Sequence, residues 1–338
     1  MVKRRISLKD IARELGVSIS TVSRGLRDHP DISDELIVKI KACAALRNYS
    51  PNPMAMGLLK QRTKMIGVIV PDLVTHFFSS VISGIEEVAK EKGYFVIVSP
   101  SNESVSKEKE NIQNLMRARV EGFIICLSQE TTEYSHFEQI IDAEIPLVFF
   151  DRVCLKEKVP TVTADNFEAA RGITRHFFEN NARRIAYISG PDHLNISDER
   201  RLGYLQGLED CGLEFRLEYL EKCDLSTKSA AEATCRLLTL PTLPDAIFGI
   251  NDTVVFSAMK EIREHGLSVP NDIKLVGFTD EFHATVVQPM LTSVMHPTYE
   301  MGKVAAGLFF ELIENMGLPP KSVELKTRLV IRESSVRR

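Results

Sequence analysis

Ser7–Arg24 reads SLKDIARELGVSISTVSR, and the organisation of the chain follows from it. Leu8, Ile11, Ala12 and Leu15 recur at helical spacing and form one apolar face. Ser7 suits an N-cap, with Asp10 three residues on in a capping-box pattern. Gly16 ends this helix, because glycine enters the left-handed region without a side-chain clash. Ser18 then caps a second helix, Ile19 to about Leu26, with Val22 turned inward. Helix, glycine turn, helix is a helix-turn-helix pattern. Its second helix presents Ile19, Ser20, Ser23 and Arg24, side chains suited to base edges, thymine methyls and phosphates. A pair of ordinary surface helices would show the same apolar spacing, so charge has to be weighed with it.

The 338 residues carry a net charge of −4, divided unevenly. Residues 1–62 hold 12 Lys/Arg against 6 Asp/Glu, whereas the remainder holds 30 against 40. A basic head on an acidic body directs only the head to a polyanion, which favours DNA binding. Within the head a third helix is expected from about Ser33 to Arg47. The breaker-rich stretch Asn48–Pro53 follows, and then Met54–Gln61, too short to hold a helix alone in water. Two readings of that segment stand: a plain linker, or a hinge that folds when DNA is bound.

From Met65 the texture changes. Met65–Pro71 is a continuous apolar run, as in a strand buried on both faces. Strand and helix then alternate twice over. The first series has strands at Tyr94–Val98, Gly122–Leu127 and Leu147–Phe150. The second has strands at Arg184–Ser189, Leu217–Leu220, Ala246–Ile250 and Lys274–Phe278, then a helix at Thr298–Asn315 and a last strand near Leu325–Ile331. This predicts an α/β body of two doubly wound parallel lobes with a cleft between them. Ligands of such sheets bind beyond the carboxyl ends of the strands. The residues there are His76, Phe77, Phe78, Asp151, Arg152, Asn251, Asp252, Thr279 and Asp280, with Arg200 expected to open a helix nearby. Aromatic faces, carboxylates and an arginine fork suit a polyhydroxylated or phosphorylated small molecule.

Phosphate-loop, dinucleotide, zinc-protease and nucleophile-elbow motifs do not occur. Six dispersed cysteines and eight dispersed histidines show no metal-ligand spacing, so no catalytic residue, metal or cofactor is expected. No apolar run approaches 18 residues, and MVKRRISLKD lacks the apolar core of a secretory signal, so a cytoplasmic protein without membrane contact is expected. A sugar-modifying protein with an accessory DNA head and an architectural DNA protein are the rival readings. The first calls for an acid/base pair or phosphate loop, the second for no ligand body at all.

The same residues carry a resemblance. SLKDIARELGVSISTVSRGL, YSPN, MAMGL and IGVIVPD, followed by EGFIICLS, IPLVFFDR, RRLGYLQGL, AIFGINDTVVFSAM and RLVIRESS, resemble the LacI/GalR family of bacterial transcription regulators along essentially the whole chain. The resemblance implies a type I periplasmic-binding-protein-like body and a homodimer bound to a pseudopalindromic double-stranded operator. It further implies repression controlled by a small effector, carbohydrate-like, in the inter-lobe cleft. By position, Ile19, Ser20 and Arg24 match base-reading residues, and Ser7, Ser18, Thr21 and Ser23 match positions near phosphates. Asn52, Ala55 and Leu58 match the hinge helix, with Leu58 similar to a leucine that wedges into the minor groove. In the body, Phe77, Phe78, Asp151, Arg200 and Asn251 match effector-pocket positions. The implied domains are a head at 1–50, a hinge at 51–62 and a body at 63–338. Within the body the first lobe takes about 63–160 and 293–321, the second about 161–292 and 322–338. Three positions depart from the family pattern: Leu36-Ile37 on the third helix, Met56 in the hinge, and Thr279 where an aspartate usually follows VGF. Only Val336-Arg337-Arg338 follows Ser335, with no heptad tail, so a dimer rather than a tetramer is expected.

Overall fold

A computed structural model describes residues 6–47, 49 and 62–336 of the chain. The chain divides into two compact units, Met1–Thr63 and Lys64–Arg338. The hinge positions Asn52, Ala55 and Leu58 lie outside the described residues.

The first unit is built from α1 (Leu8–Leu15), α2 (Ile19–Gly25) and α3 (Asp34–Leu46). Its core is small: Ile11, Ala12, Val22, Ile40, Cys43 and Ala44 are buried together. Gly16 sits at φ 66°, the left-handed cap that reverses the chain between α1 and α2. Such a core is what three short helices can supply.

The second unit contains two six-stranded sheets. The first runs β11-β5-β4-β3-β1-β2 and is parallel throughout. Its strands are β1 (Met65–Val70), β2 (Phe95–Pro100), β3 (Phe123–Ile125), β4 (Leu147–Phe150), β5 (Thr161–Ala164) and β11 (Ser322–Leu325). The second runs β12-β10-β9-β8-β6-β7, with β12 alone antiparallel. It comprises β6 (Ile185–Ser189), β7 (Leu220–Lys222), β8 (Ala246–Gly249), β9 (Lys274–Thr279), β10 (Thr292–Met295) and β12 (Arg328–Val330). The connecting helices are α4 (His76–Glu91), α5 (Val105–Arg117), α6 (Ser135–Asp142), α7 (Asn166–Glu179), α8 (Asn195–Asp210), α9 (Thr227–Leu238), α10 (Asp252–Glu264) and α11 (Thr298–Glu314).

The chain crosses between lobes three times: after β5, after β10 and between β11 and β12. This moves the expected lobe boundaries. Residues 161–164 and 322–325 pair within the first sheet, and the strand expected at 325–331 is two strands in different sheets. The reason is local. Asp165 accepts hydrogen bonds from the Thr327 amide (2.9 Å) and hydroxyl (2.7 Å), and Lys326 lies 3.4 Å from it, so two crossovers are tied together where the chain changes sheet.

The lobes repeat one packing device. Helices α4 and α11 pack together in the first lobe, where Phe78, Val81, Ile85, Met301, Ala305 and Phe309 are buried. They approach so closely that a Cβ on Gly84 would collide with the Tyr299 carbonyl, and one on Gly302 with that of Val81. No helix among the described residues is long and apolar enough to cross a membrane.

Candidate DNA-binding surface and ligand cleft

On the head, Ser18 caps α2 by accepting from the Thr21 amide at 3.1 Å. Its hydroxyl also lies 2.7 Å from that of Ser20 and 2.8 Å from that of Thr21. Ser7 binds the Asp10 carboxylate through its amide (2.9 Å) and hydroxyl (2.6 Å), fixing the start of α1. Ile19, Ser20 and Arg24 are exposed on α2, while Thr21 and Ser23 are half-buried. Arg24 lies 3.5 Å from Asp31 with both side chains well exposed, a pair worth little in water. The guanidinium is therefore free to leave it for a stronger anion.

In the body, the carboxyl ends of β1, β2, β4 and β8–β10 surround one cavity of about 120 Å³. At about 30 Å³ of liquid volume per water this is room for about four waters. Phe77, Phe78, Asp151, Arg152, Arg200, Asn251 and Thr279 line it. Asp151 (φ 57°) and Thr279 (φ 134°) hold unusual backbone conformations there. Conformations of this kind cost about 1–3 kcal/mol each and cluster at functional sites.

Three expected residues stand outside the lining. His76, the first residue of α4, is exposed. Asp280 pairs with Arg332 at 2.6 Å instead of facing the cavity. Asp252 is fully buried, accepting from the Ser293 hydroxyl (2.6 Å) and the Glu281 amide (2.8 Å). The direction each side chain takes after its strand depends on the helix that follows, which position along the chain does not reveal. Arg200 does not open a helix: α8 begins at Asn195, so Arg200 lies in its second turn.

The lining also includes Asp72, Thr75, Glu103, Glu281 and His296, none expected from sequence. Asp72, directly after β1, was the legible one. His296 follows β10, a strand whose Thr-Ser-Val-Met sequence gave no apolar run.

Charges in the cavity are buried and coupled. Arg200 donates through Nε to Asn166 (2.9 Å) and through Nη1 to the Ile250 carbonyl (2.5 Å), with its guanidinium 3.6 Å from the Phe278 ring centroid. Burial lowers its pKa and Asp151 partly restores it. Burial raises the pKa of Asp151, while Arg200 and Arg152 pull it back. Arg152 is taken by Glu103 through contacts of 2.9 and 2.8 Å. Asn251 caps α10 with its Oδ1 on the Val254 amide (2.9 Å), leaving its amide nitrogen for another acceptor. Asn195 bridges the lobes, donating to the Asp151 carbonyl (3.1 Å) and accepting from the Val153 amide (2.9 Å).

Comparison with known proteins matches residues 7–52 to the model described as bacterial regulatory proteins, lacI family. Residues 63–333 match periplasmic binding proteins and sugar binding domain of LacI family. The chain belongs to the LacI family. It is 31% identical over 331 residues to catabolite control protein A of Priestia megaterium, covering 98% of this chain and 99% of that protein. It is 29% identical to the ribose operon repressor of Bacillus subtilis (strain 168), over 97% of this chain and 98% of the relative. Among solved structures, the lac repressor dimer bound to operator and the anti-inducer ONPF aligns over 99% of this chain and 100% of its own, with TM-score 0.86 and 25% identity. The LacI-family chain is accordingly a DNA-binding transcriptional regulator and not an enzyme.

Proposed function

We propose that this LacI-family regulator is a repressor that binds a pseudopalindromic operator as a homodimer and is controlled by a small effector in the inter-lobe cleft. The observation that carries the reading is one chain joining a basic helix-turn-helix head to a body whose polar groups converge on a cavity at the strand ends of both lobes. In this reading Ile19, Ser20 and Arg24 read bases, and Ser7, Ser18, Thr21 and Ser23 seat the head on phosphates. Residues 51–62 form the hinge between a head at 1–50 and a body at 63–338, with Asn52, Ala55 and Leu58 entering the minor groove. Phe77, Phe78, Asp151, Arg152, Arg200, Asn251 and Thr279 hold the effector.

In this reading the body carries the self-association. Its purpose is to present two heads to two half-sites. The effector then acts by binding one lobe arrangement better than the other. The test is a salt-controlled titration of the full chain against a palindrome selected from random DNA, with and without sugars, sugar phosphates and nucleosides. A selected palindrome bound with 2:1 stoichiometry, and an affinity changed by one of these compounds, support the reading. A fragment of residues 1–62 that binds as tightly as the full chain refutes the dimer. Leu58→Ala with an unchanged ratio of specific to random-DNA affinity refutes the hinge.

A further inference from the structure

The cavity lining holds four carboxylates, Asp72, Glu103, Asp151 and Glu281, against the guanidiniums of Arg152 and Arg200. Glu103 already occupies Arg152 through two short contacts. Arg200 has two of its donors on Asn166 and the Ile250 carbonyl, and it must balance three acids.

Several backbone amides at these strand ends are held by the chain's own acids. Asp72 Oδ1 accepts from the amides of Val74 and Thr75, both at 2.8 Å. Glu108 holds the Ser128 amide at 2.8 Å, and Glu103 the Gln129 amide at 2.7 Å. Asp252 holds the Glu281 amide. A phosphate or carboxylate entering here meets like charge, and at these amides it meets donors that are already engaged.

His296 offers the opposite chemistry. It sits on the crossover between β10 and α11, with its ring edge-on to Phe77 of the first lobe (5.1 Å) and Phe278 of the second (5.8 Å). Its Nε2 lies 3.7 Å from Asp151 Oδ1, and neither ring nitrogen has a hydrogen-bond partner. Burial, with Arg200 adding to it, drives its pKa down to about 3, so the ring is neutral and carries one donor and one acceptor. Both nitrogens are covered in this arrangement, between one ring of each lobe. For a ligand to reach them, the lobes must shift about the crossover.

We infer that the cleft takes a polyhydroxylated ligand without negative charge, and that His296 is the specificity-determining residue that reads its hydroxyls at the crossover between the lobes. The inference rests on the cleft being the effector site. A hydroxyl satisfies a neutral imidazole that is otherwise unpaired, and because His296 belongs to a crossover, that satisfaction depends on the angle between the lobes.

The experiment uses the full chain and matched pairs of compounds: ribose and ribose 5-phosphate, glucose and glucose 6-phosphate, galactose and galacturonate, adenosine and its monophosphate. Thermal shift finds the binding pair and calorimetry measures it. The neutral member is expected to bind at least about tenfold more tightly, the scale of one charged mismatch. His296→Leu is expected to weaken it about tenfold, as for a lost buried hydrogen bond. His296→Gln, which keeps a donor and an acceptor, stays within about threefold. It also serves if the leucine variant does not fold. An anionic member that binds more tightly than its neutral partner overturns the inference, as does a leucine variant within twofold of wild type. Silence across all pairs overturns it too. Asp151→Asn and Arg200→Lys separate the two readings. If neither disturbs the ligand, the cleft assignment itself fails. If both do while charge and His296 make no difference, only the inference fails.

Discussion

Asp252 is the most informative group for a stability test, because its burial has a definite sign. Its carboxyl is fully enclosed between α10, β10 and the segment after β9, and burial pushes its pKa up to about 7. The hydrogen bonds from Ser293 and the Glu281 amide oppose that shift, while the charges of Glu281 and Asp280 add to it. An unfolded aspartate titrates near 3.9. Between about pH 4 and pH 7 the folded protein therefore keeps a proton that the unfolded chain has released. The stability contributed by this group is fully present below pH 4 and is lost as the pH rises to about 7. Each pH unit of that window is worth about 1.4 kcal/mol, which caps the loss at roughly 4 kcal/mol, with about 3 of it between pH 5 and pH 8.

Asp252→Asn keeps the shape and both contacts, its oxygen accepting from the Glu281 amide and its nitrogen donating to the Ser293 hydroxyl. Differential scanning calorimetry of the full chain at pH 5, 6, 7 and 8 is the assay. The variant should match wild type at pH 5 and be the more stable at pH 8, by up to about 3 kcal/mol or roughly 6–12 °C in melting temperature. A difference between the two proteins that does not vary with pH refutes the reasoning.

Arg24→Ala should cost about 1–3 kcal/mol of operator affinity while leaving the melting temperature nearly unchanged, because its partner Asp31 is as exposed as Arg24 is; gel-shift titration beside thermal melting checks both halves. Arg200→Ala should abolish effector binding and also destabilise the body by about 2 kcal/mol, since two buried acceptors lose a charged donor; unchanged melting would show that those bonds contribute nothing. Gly302→Ala should lower stability by about 1–3 kcal/mol, because a methyl there meets the Val81 carbonyl of the facing helix; a variant that melts with wild type would contradict that close approach.

The periodic elements were legible in the sequence. The head showed its apolar spacing and its glycine turn, and the buried strands showed unbroken apolar runs, as in Met65–Val70. What stayed hidden has physical causes. Thr161–Ala164 and Thr292–Met295 are short strands rich in hydroxyl side chains, so periodicity passes over them, and with them go the crossovers that define the lobes. The first turn of α8, Asn-Ile-Ser-Asp, carries no helical apolar stripe, so the start that the sequence pattern suggests, Glu199, falls four residues late. In the cleft, placement after a strand end was enough to find Asp151 and Asn251. It failed for Asp252 and Asp280, because which way a carboxylate turns is decided by a hydroxyl, an amide or an arginine contributed from elsewhere in the chain.

The triple crossing of the chain also sets an order of assembly on the ribosome. Helix α4 emerges early, but α11, which covers it, begins about 200 residues later. At about 5–20 residues per second the apolar face of α4 waits roughly 10–40 s for its partner. During that interval Phe78, Val81 and Ile85 have no α11 to cover them, whereas the three helices of the head are complete once Leu46 has emerged. Nascent chains should therefore acquire a folded head well before either lobe of the body closes. Chains arrested ahead of Thr298 should be the ones that chaperones hold and proteases cut.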